Sequence, residues 1–472
     1  MKKILLIASV FVGFFTACPQ PPTIMTETVE ISEWSIGQKD GSLVVQWTDP
    51  SVDNLKSISV VTRLGEEVVD EGSVEPGTQT YTIPKDKVKV GESYLITIFG
   101  LDSENNKTAE TAVPHTVSSA NLLFESVNVY DRYAELKIAS DASSQLTLEY
   151  GSQSIPINNG TTDIRIDDLK PGQTYIFTLR TENHSAATFT RKTMLFWDDF
   201  AYSTPEDLTA SRWIWCKREN STQENHWSFS MRGEGNAERV LFNKEEGVNF
   251  LRLEGYYKGA EKNPENMLGA GVRSQNCFYF TFGKVEIRFR FKDSLPGSFP
   301  ALWMMPQNAD PGCANNGSWP YGGEIDIMER VHSRPWLVYN TAHTENWSTA
   351  GNGYAGESSQ YNVAGKQNGS GKAEDWNKWN IVGIEWSRGG LQWYVNGVRT
   401  KWIPAEDNLG NYPFTEKSSF YLIMNMSVAR SGFVGMAEPG FYNYIDIDYV
   451  KVTPNADTIV QECPYYTSGG AQ

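Results

Sequence analysis

The sequence of 472 residues is poor in the groups that bind transition metals and form cross-links. It has five cysteines and five histidines, with no Cys-x-x-Cys pair and no histidine cluster. A zinc site is therefore not expected. The spacing of Cys216, Cys277, Cys313 and Cys463 decides no pairing, so free thiols and disulfides both remain open. Basic side chains are also outnumbered, 41 against 57 acidic ones, for a formal charge of −16. Nucleic acid, a polyanion, is not an expected partner.

Long apolar runs are lacking except near the N-terminus. Lys2 and Lys3 precede an apolar run at residues 4–15, which is too short to cross a bilayer and fits a signal peptide. The small residues before Cys18 resemble a bacterial lipoprotein box. We expect residues 1–17 to be the lipoprotein signal peptide, Cys18 to carry the lipid, and residues 18–28 to form a polar tether. The protein would then lie at the bacterial outer membrane, on the cell surface or in the periplasm, and contact the membrane by its lipid anchor only. An ordinary secretory signal with a free Cys18 is the alternative.

Three carboxylates lie within six residues in the segment Gly-Glu-Ile-Asp-Ile-Met-Glu, which ends at Glu329. The alternation of Glu324, Ile325, Asp326 and Ile327 has the period of a half-buried strand. A regular strand would turn Glu329 to the opposite face. One extra residue, a β-bulge at Ile327 or Met328, would bring all three acids to one side. Glycosidic-bond hydrolysis needs such a pair of carboxyl groups, one to attack the sugar and one to protonate the leaving oxygen. An exposed acidic strand and a metal site are the other interpretations.

Together with its surroundings, this segment resembles the signature of family 16 glycoside hydrolases, in the branch whose catalytic strand carries a bulge. The motifs that carry the resemblance lie in order between residues 195 and 454: Phe-Gly-Lys-Val-Glu-Ile-Arg at 282–288, Pro-Ala-Leu-Trp-Met-Met-Pro at 300–306, Trp-Pro at 319–320, Thr-Ala-His at 341–343, and Tyr-Ile-Asp-Ile-Asp-Tyr-Val-Lys-Val at 444–452. The resemblance implies an all-β fold, a concanavalin-like β-jelly roll of two antiparallel sheets with the substrate cleft on one face. It assigns residues 194–456 to the catalytic domain and residues 457–472 to a tail.

The resemblance also implies roles for single residues. Glu324 would be the nucleophile, Glu329 the general acid/base, and Asp326 their supporting residue. No cofactor is required for this chemistry, but several members hold a structural calcium ion, for which Asp199 and Asp448 match. The residues expected to bind substrate are Trp303, Trp319, His343, Trp347, Asn425 and Arg273; for the tryptophans and His343, packing inside the fold is the alternative.

Two small modules are expected before the catalytic part, at residues 29–117 and 118–193. Short alternating strands between turns predict all-β sandwiches. A Val/Leu-x-x-Gly-x-x-Tyr turn ends at Tyr94 and recurs 81 positions later at Tyr175. This turn resembles the tyrosine corner of fibronectin type III and Ig-like sandwiches. We interpret the modules as spacers, with Trp47 in a core; carbohydrate binding is the alternative.

The sequence therefore predicts an endo-acting retaining glycoside hydrolase that cleaves internal β-glycosidic bonds of a polysaccharide. The form of the acidic segment looks most like that of endo-β-1,3-glucanases acting on laminarin-type glucan. Two features favour an endo-β-galactosidase acting on mucin-type glycans or algal galactans as the alternative: the segment Tyr-Asn-Thr-Ala-His at 339–343, and residues 429–433, which lack the usual Gly-Gly and Trp. Phe299 stands where relatives often have Trp, so a different stacking surface is expected there. A third hypothesis is a non-catalytic surface glycan-binding lipoprotein.

Overall fold

The computed structural model describes residues 29–50, 52, 54–158, 160–181, 184–209, 212–216, 240–257, 267–332, 337–345, 359–362, 376–405, 412–428, 430–431, 434–461 and 463–467. The expected signal peptide, Cys18 and the tether lie outside these residues. None of the helices in these ranges is both long and apolar enough to span a membrane. The chain divides into two compact units between Ser119 and Ala120, two residues after the boundary that the sequence predicted.

The first unit is a β-sandwich with its own core. Its strands are β1 (Val29–Glu30), β2 (Trp34–Lys39), β3 (Ser42–Trp47), β4 (Leu55–Leu64), β5 (Glu67–Val74), β6 (Thr80–Ile83), β7 (Ser93–Asp102) and β8 (Lys107–Thr116), with a 3₁₀ turn at Lys85–Lys87. They pair in the orders β1-β8-β7-β4-β5 and β2-β3-β6. Trp34 and Trp47 are both buried in the apolar cluster of this unit. The prediction that Trp47 is a core residue is confirmed.

The second unit begins with a smaller β-sandwich. Its strands are β9 (Leu122–Val129), β10 (Ala134–Ser140), β11 (Leu146–Tyr150), β12 (Gln153–Ile157), β13 (Asp163–Ile166), β14 (Thr174–Thr181) and β15 (His184–Lys192). They pair as β12-β11-β14-β15 and as β9-β10-β13. Tyr175 accepts a hydrogen bond from the backbone N–H of Lys170 at 3.0 Å, and Tyr94 of the first unit does the same for Lys89. This is the bond that defines a tyrosine corner.

The rest of the second unit is a sandwich of two antiparallel sheets, the jelly-roll fold that the sequence predicts. Its elements are β16 (Phe196–Asp198), α1 (Pro205–Thr209), β17 (Ile214–Trp215), β18 (Val240–Glu245), β19 (Val248–Tyr257), β20 (Met267–Leu268), β21 (Ala270–Arg273), β22 (Gly283–Phe291), β23 (Ser298–Asn308), a 3₁₀ turn at Ala314–Gly317, β24 (Glu324–Glu329), β25 (Leu337–His343), β26 (Ser359–Asn362), β27 (Asn380–Ser387), β28 (Gly390–Val395), β29 (Val398–Pro404), β30 (Ser419–Val428), β31 (Arg430–Ser431), β32 (Gly435–Met436), β33 (Tyr442–Thr453) and α2 (Pro464–Thr467).

Two sheets of this sandwich enclose a single large core. The site sheet has the order β17-β21-β30-β23-β24-β25-β26, and the opposite sheet has the order β18-β19-β33-β22-β27-β28-β29. Alternate residues of each strand point into the core, as the period of two requires. In β24 these are Ile325 and, after the bulge, Ile327 and Met328, all fully buried. The residues between them point to the outer surface of the site sheet, which we call the carboxylate face.

The described part of the C-terminal segment, residues 457–461 and 463–467, packs on the fold, whereas the sequence predicted a tail at residues 457–472. Ile459 forms a β-bridge with Thr281. Cys463 and Tyr465 are buried in the sandwich core. The ring of Tyr465 packs on Phe196, and its hydroxyl donates to the buried carboxylate of Asp131 in the small sandwich. The error arose because the segment is short and carries no strand periodicity, although three of its side chains find apolar or polar partners far along the chain.

Candidate active site

A β-bulge in β24 brings three acids to one face, as the spacing predicts. Opposite β23, Trp303 pairs with Asp326 and Leu302 pairs with Met328, so one residue of β24 is skipped. The register against β25 shifts in the same place. Ile327, which has no partner in either neighbour, is the extra residue. Glu324, Asp326 and Glu329 consequently share the carboxylate face.

A tight approach fixes the start of β24. The backbone at Gly323 has φ +87°, and a Cβ atom there would lie 2.7 Å from the ring of Phe414. A Cβ at Gly322 would lie 2.3 Å from the carbonyl oxygen of Gly317. Only glycine fits both conditions at Gly323, because a side chain would be strained and would collide. The preceding loop is tied down by Asp310, which accepts hydrogen bonds from Thr415 and Gly312 at 2.6 and 2.7 Å.

Glu324 is surrounded by both repelling and stabilising groups. Burial and the charge of Asp326 raise its pKa from 4.5 to about 8. The indole N–H of Trp319 donates a hydrogen bond to its carboxylate, and His343 lies close by; both lower the pKa and favour the ionised form. Trp319 is 44% exposed and its ring centroid is 6.1 Å from that of His343. The exposed indole offers an apolar face directly beside Glu324.

Asp326 and Glu329 are held in a more protonated state than free acids. Burial raises the pKa of Asp326, while its hydrogen bond with Glu324 lowers it. The pKa of Glu329 lies well above its usual value because of burial first and then the charges of Asp326 and Glu324. His343 Nε2 is 3.1 Å from Asp326 Oδ2. Three acids so close together cannot all ionise near neutral pH, so at least one proton is retained among them.

Trp303 and Asn425, both expected to bind substrate, are bonded to each other. The indole N–H of Trp303 donates to Asn425 Oδ1 at 2.8 Å. Asn425 is 0% exposed, and its amide also donates to Ser427 at 2.9 Å. The structure therefore does not present Asn425 to solvent. Its amide orients Trp303, which lies beside Asp326 on the carboxylate face.

Arg273 lies in the same row of the sheet as Trp303, with Ile423 between them. Its guanidinium is hydrogen-bonded to the hydroxyl of Tyr421 and lowers the pKa of this phenol, which burial raises. The charge of Glu324 also reaches Tyr421. Sequence reasoning missed Tyr421; the alternation of Tyr421, Ile423 and Asn425 in β30 was the available signal, because it places the three on one face.

Two other expected sites receive less support. Trp347 lies outside the described residues. Asp448 accepts a hydrogen bond from Arg288, so a cation already neutralises this acid. Burial is the main cause that raises the pKa of Asp448, and the charge of Asp199 raises it by a smaller amount. Two carboxylates would supply part of the six to eight oxygens that calcium binds, and backbone carbonyls or water would have to supply the rest. The calcium site at Asp199 and Asp448 remains a prediction.

The described residues contain one group of three or more potential metal ligands, formed by Glu324, Asp326 and His343, whose ligand atoms lie within 4.8 Å of one another. Glu324 and Asp326 are acids of the carboxylate face, so the potential metal ligands and the candidate catalytic acids are partly the same groups. No disulfide joins the four described cysteines, Cys216, Cys277, Cys313 and Cys463. Of the two possibilities that their spacing left open, this arrangement favours thiols.

Phe299, where relatives often have Trp, is not available for stacking. It is buried with Val331, Tyr339 and Val434 in a small apolar cluster beside Glu329. The replacement therefore closes this side of the carboxylate face with packed side chains. On the described part of the face, Trp319 is exposed and Trp303 is half-buried.

Comparison with known proteins gives consistent matches over the catalytic part. Residues 209–435 match the family model described as Glycosyl hydrolases family 16. A keratan-sulfate endo-1,4-β-galactosidase from Sphingobacterium multivorum is 29% identical over 256 residues, which is 51% of this chain and 54% of that protein. A β-glucanase from Rhodothermus marinus is 29% identical over 204 residues, 42% of this chain and 64% of that protein.

Among solved structures, a laminarinase from Rhodothermus marinus is 23% identical, with a TM-score of 0.41, and the match covers 55% of this chain and 96% of that one. The chain thus spans about half the length of the keratan-sulfate enzyme and less than two thirds of the β-glucanase. The region that matches the family model, residues 209–435, contains all three acids of the carboxylate face.

Proposed function

We propose, from the match of residues 209–435 to the model of glycosyl hydrolase family 16, that the chain is an endo-acting, retaining glycosidase that cleaves internal β-glycosidic bonds of a polysaccharide. The observation that carries the proposal is the bulge of β24, which places Glu324, Asp326 and Glu329 on one face. Crowding three acids on one face is unfavourable for folding, and such clusters of acids with perturbed pKa values are typical of functional sites.

The roles follow from the surroundings of each acid. Glu324 receives the Trp319 N–H, which favours its ionised form against burial and Asp326, which together raise its pKa to about 8. Glu329 is buried near two other acids and keeps its proton. We assign Glu324 as the nucleophile that attacks the anomeric carbon, and Glu329 as the acid that protonates the leaving oxygen. Glu329 then takes a proton from the water that hydrolyses the glycosyl-enzyme.

Asp326 lies between the two glutamates and interacts with both. Its hydrogen bond to Glu324 orients the nucleophile, and its charge keeps the pKa of Glu329 high. His343 in turn contacts Asp326. This chemistry uses the chain's own side chains and requires no cofactor. Trp319 and Trp303 are the proposed sugar-stacking residues, and Arg273 with Tyr421 borders the face on the β30 side.

The preferred substrate is a β-1,3-glucan of the laminarin type, supported by the bulged acidic segment and by the similarity to the β-glucanase. An endo-β-galactosidase activity is the second candidate. It is favoured by the longer match to the keratan-sulfate enzyme, 256 against 204 residues, and by Phe299, which packs where relatives often carry Trp.

The remaining features complete the proposal. The bulge in β24 supports assignment to the bulge-type branch. The tyrosine-corner bonds of Tyr94 and Tyr175 support Ig-like or fibronectin-III-like spacers. Lipidation at Cys18 would attach the enzyme to the bacterial surface or the periplasmic face of a membrane.

Product analysis tests the function. Purified protein is incubated with laminarin, mixed-linkage glucan, agar-type galactan, keratan sulfate and mucin glycans, and products are sized by chromatography while NMR follows the first anomer released. We expect a ladder of intermediate oligosaccharides in the β-configuration from one glycan class. The Glu324→Gln variant should release none. Product with the inverted anomer would reject the retaining mechanism. Binding without cleavage would favour a glycan-capture protein.

A further inference from the structure

The bulge of β24 leaves backbone groups that the neighbouring strands do not pair. Ile327 has no partner in β23 or in β25. It is fully buried among the core side chains, so bulk water is not available to its carbonyl group. A buried carbonyl needs a hydrogen-bond donor, and at this position the donor has to come from outside the ladder.

Two side chains on the core side supply such donors. Asn340 Nδ2 donates to the carbonyl oxygen of Ile327 at 2.7 Å, and Trp393 Nε1 donates to the carbonyl oxygen of Asp326 at 2.9 Å. Thr400 Oγ1 donates to Asn340 Oδ1 at 2.9 Å and so fixes the amide with its donor towards the bulge. Asn340 and Trp393 are both 0% exposed.

These donors connect the site sheet with the opposite sheet. Asn340 lies on β25, beside the bulge and on the core side of the strand. Trp393 on β28 and Thr400 on β29 belong to the opposite sheet. The bulge is therefore held through the interior of the sandwich, and the acids project from the other side of the same strand.

We propose that Asn340 and Trp393, supported by Thr400, are positioning residues that hold the β24 bulge and thereby keep Asp326 and Glu329 on one face. They touch no reacting atom. If the bulge relaxed to a regular strand, Glu329 would turn towards the core and leave Asp326 and Glu324 behind. The inference rests on the proposed glycosidase function for its consequence, but the backbone arrangement itself is testable without substrate.

The decisive variant is Trp393→Phe, which removes the indole N–H and keeps an aromatic ring in the core. The matched control is Trp386→Phe. Trp386 is also fully buried, and its indole donates to a carbonyl oxygen, that of Phe414, at 3.0 Å. Both variants lose one buried bond of the same type, so both should lose similar thermal stability. Only Trp393→Phe should disturb the acids.

Kinetics with two substrates separates positioning from general damage. A misplaced Glu329 protonates the leaving oxygen poorly. This slows cleavage when the leaving group is a sugar, which needs the proton, and has little effect when the leaving group is an acidic phenol, which leaves as an anion. We expect Trp393→Phe to lower kcat on polysaccharide by about 10- to 100-fold, with KM little changed and much smaller loss on an aryl glycoside. Asn340→Leu should behave likewise, and Thr400→Val more mildly. Equal losses for Trp393→Phe and Trp386→Phe, or equal losses on both substrates, would overturn the proposal.

Hydrogen exchange followed by mass spectrometry gives a readout that needs no activity. Amides of residues 324–331 should exchange faster in Trp393→Phe and Asn340→Leu than in the parent or Trp386→Phe. Unchanged exchange in these two variants would refute the positioning role whatever the kinetics show. If the parent cleaves no glycan but the exchange differs as expected, the proposed function fails and the holding of the bulge stands.

Discussion

Replacing Glu324 by Gln should stabilise the protein, and the gain should grow with pH. Burial and Asp326 raise the pKa of Glu324 in the folded chain from 4.5 to about 8. The folded state therefore binds the proton more tightly than the unfolded state between these two values. By linkage, stability falls as pH rises through this window. Below pH 4.5 the acid is neutral in both states and contributes no penalty; above pH 8 the penalty is complete.

The magnitude follows from the width of the window. The interval from 4.5 to about 8 is 3.5 pH units. Each unit corresponds to about 1.36 kcal/mol, so the ionisation of Glu324 lowers the free energy of unfolding by at most about 5 kcal/mol. The side chain is partly exposed and shares its proton with Asp326, so screening reduces the effect. We expect Glu324→Gln to raise the free energy of unfolding by about 2 kcal/mol at pH 8.5. This corresponds to a rise in Tm of about 4–8 °C for a domain of this size.

Tryptophan fluorescence during heating measures this change where it occurs, since most tryptophans lie in the catalytic domain. The Tm of Glu324→Gln minus that of the parent should be near zero at pH 4 and should rise steadily to pH 8.5. Glu246→Gln, at an exposed turn between β18 and β19, is the control. A difference that is independent of pH, or a parent more stable than the variant at pH 8.5, would refute the electrostatic reasoning.

Three further outcomes follow from the site. Glu329→Ala should lose at least about 100-fold on polysaccharide but retain much of its activity on an aryl glycoside with a good leaving group; equal losses in a side-by-side assay would remove Glu329 from the acid role. Asp326→Asn should shift the acid limb of the kcat/KM profile to lower pH, because it removes a charge that raises the pKa of Glu324; a limb that stays in place contradicts this coupling. EDTA should leave the rate unchanged, whereas Zn²⁺ should inhibit by binding Glu324, Asp326 and His343; loss of activity on chelation without a change in Tm would show that the chemistry needs a metal, and loss together with a lower Tm would indicate a structural ion.

Local patterns predicted the features that depend on neighbours in sequence. The alternation in the acidic segment fixed which residues of β24 face the core, and the spacing of Glu329 required one extra residue. The turn ending at Tyr94 and Tyr175 predicted the hydrogen bonds that the two phenols accept. Each of these depends on parity or on a turn of a few residues, which a single chain displays directly.

Contacts between distant strands were not readable in this way. Asn425 lies 122 positions from Trp303, to which it is bonded, and nothing in the segment Met-Asn-Met-Ser distinguishes orientation of an indole from contact with a sugar. Trp393 lies 67 positions from the carbonyl it binds. Its alternation with Leu391 and Val395 correctly indicates a core residue but not its partner. The sequence gives a weaker indication for Asn340. It is a polar residue between Val338 and Ala342, which alternate with it on the core side of β25.

The two faces of β24 are destabilised by different effects. On the carboxylate face the acids repel one another, and Trp319 and His343 offset this repulsion only in part. On the core face the problem is unpaired carbonyl groups, which Asn340 and Trp393 satisfy. Substitutions on the two sides should therefore change stability in opposite directions: Glu324→Gln removes a source of repulsion, whereas Trp393→Phe leaves a buried carbonyl without its donor, at about 1–3 kcal/mol. Both should lower activity. Loss of function together with opposite signs of stability change is the behaviour expected of a strand whose packing and chemistry are served by different faces.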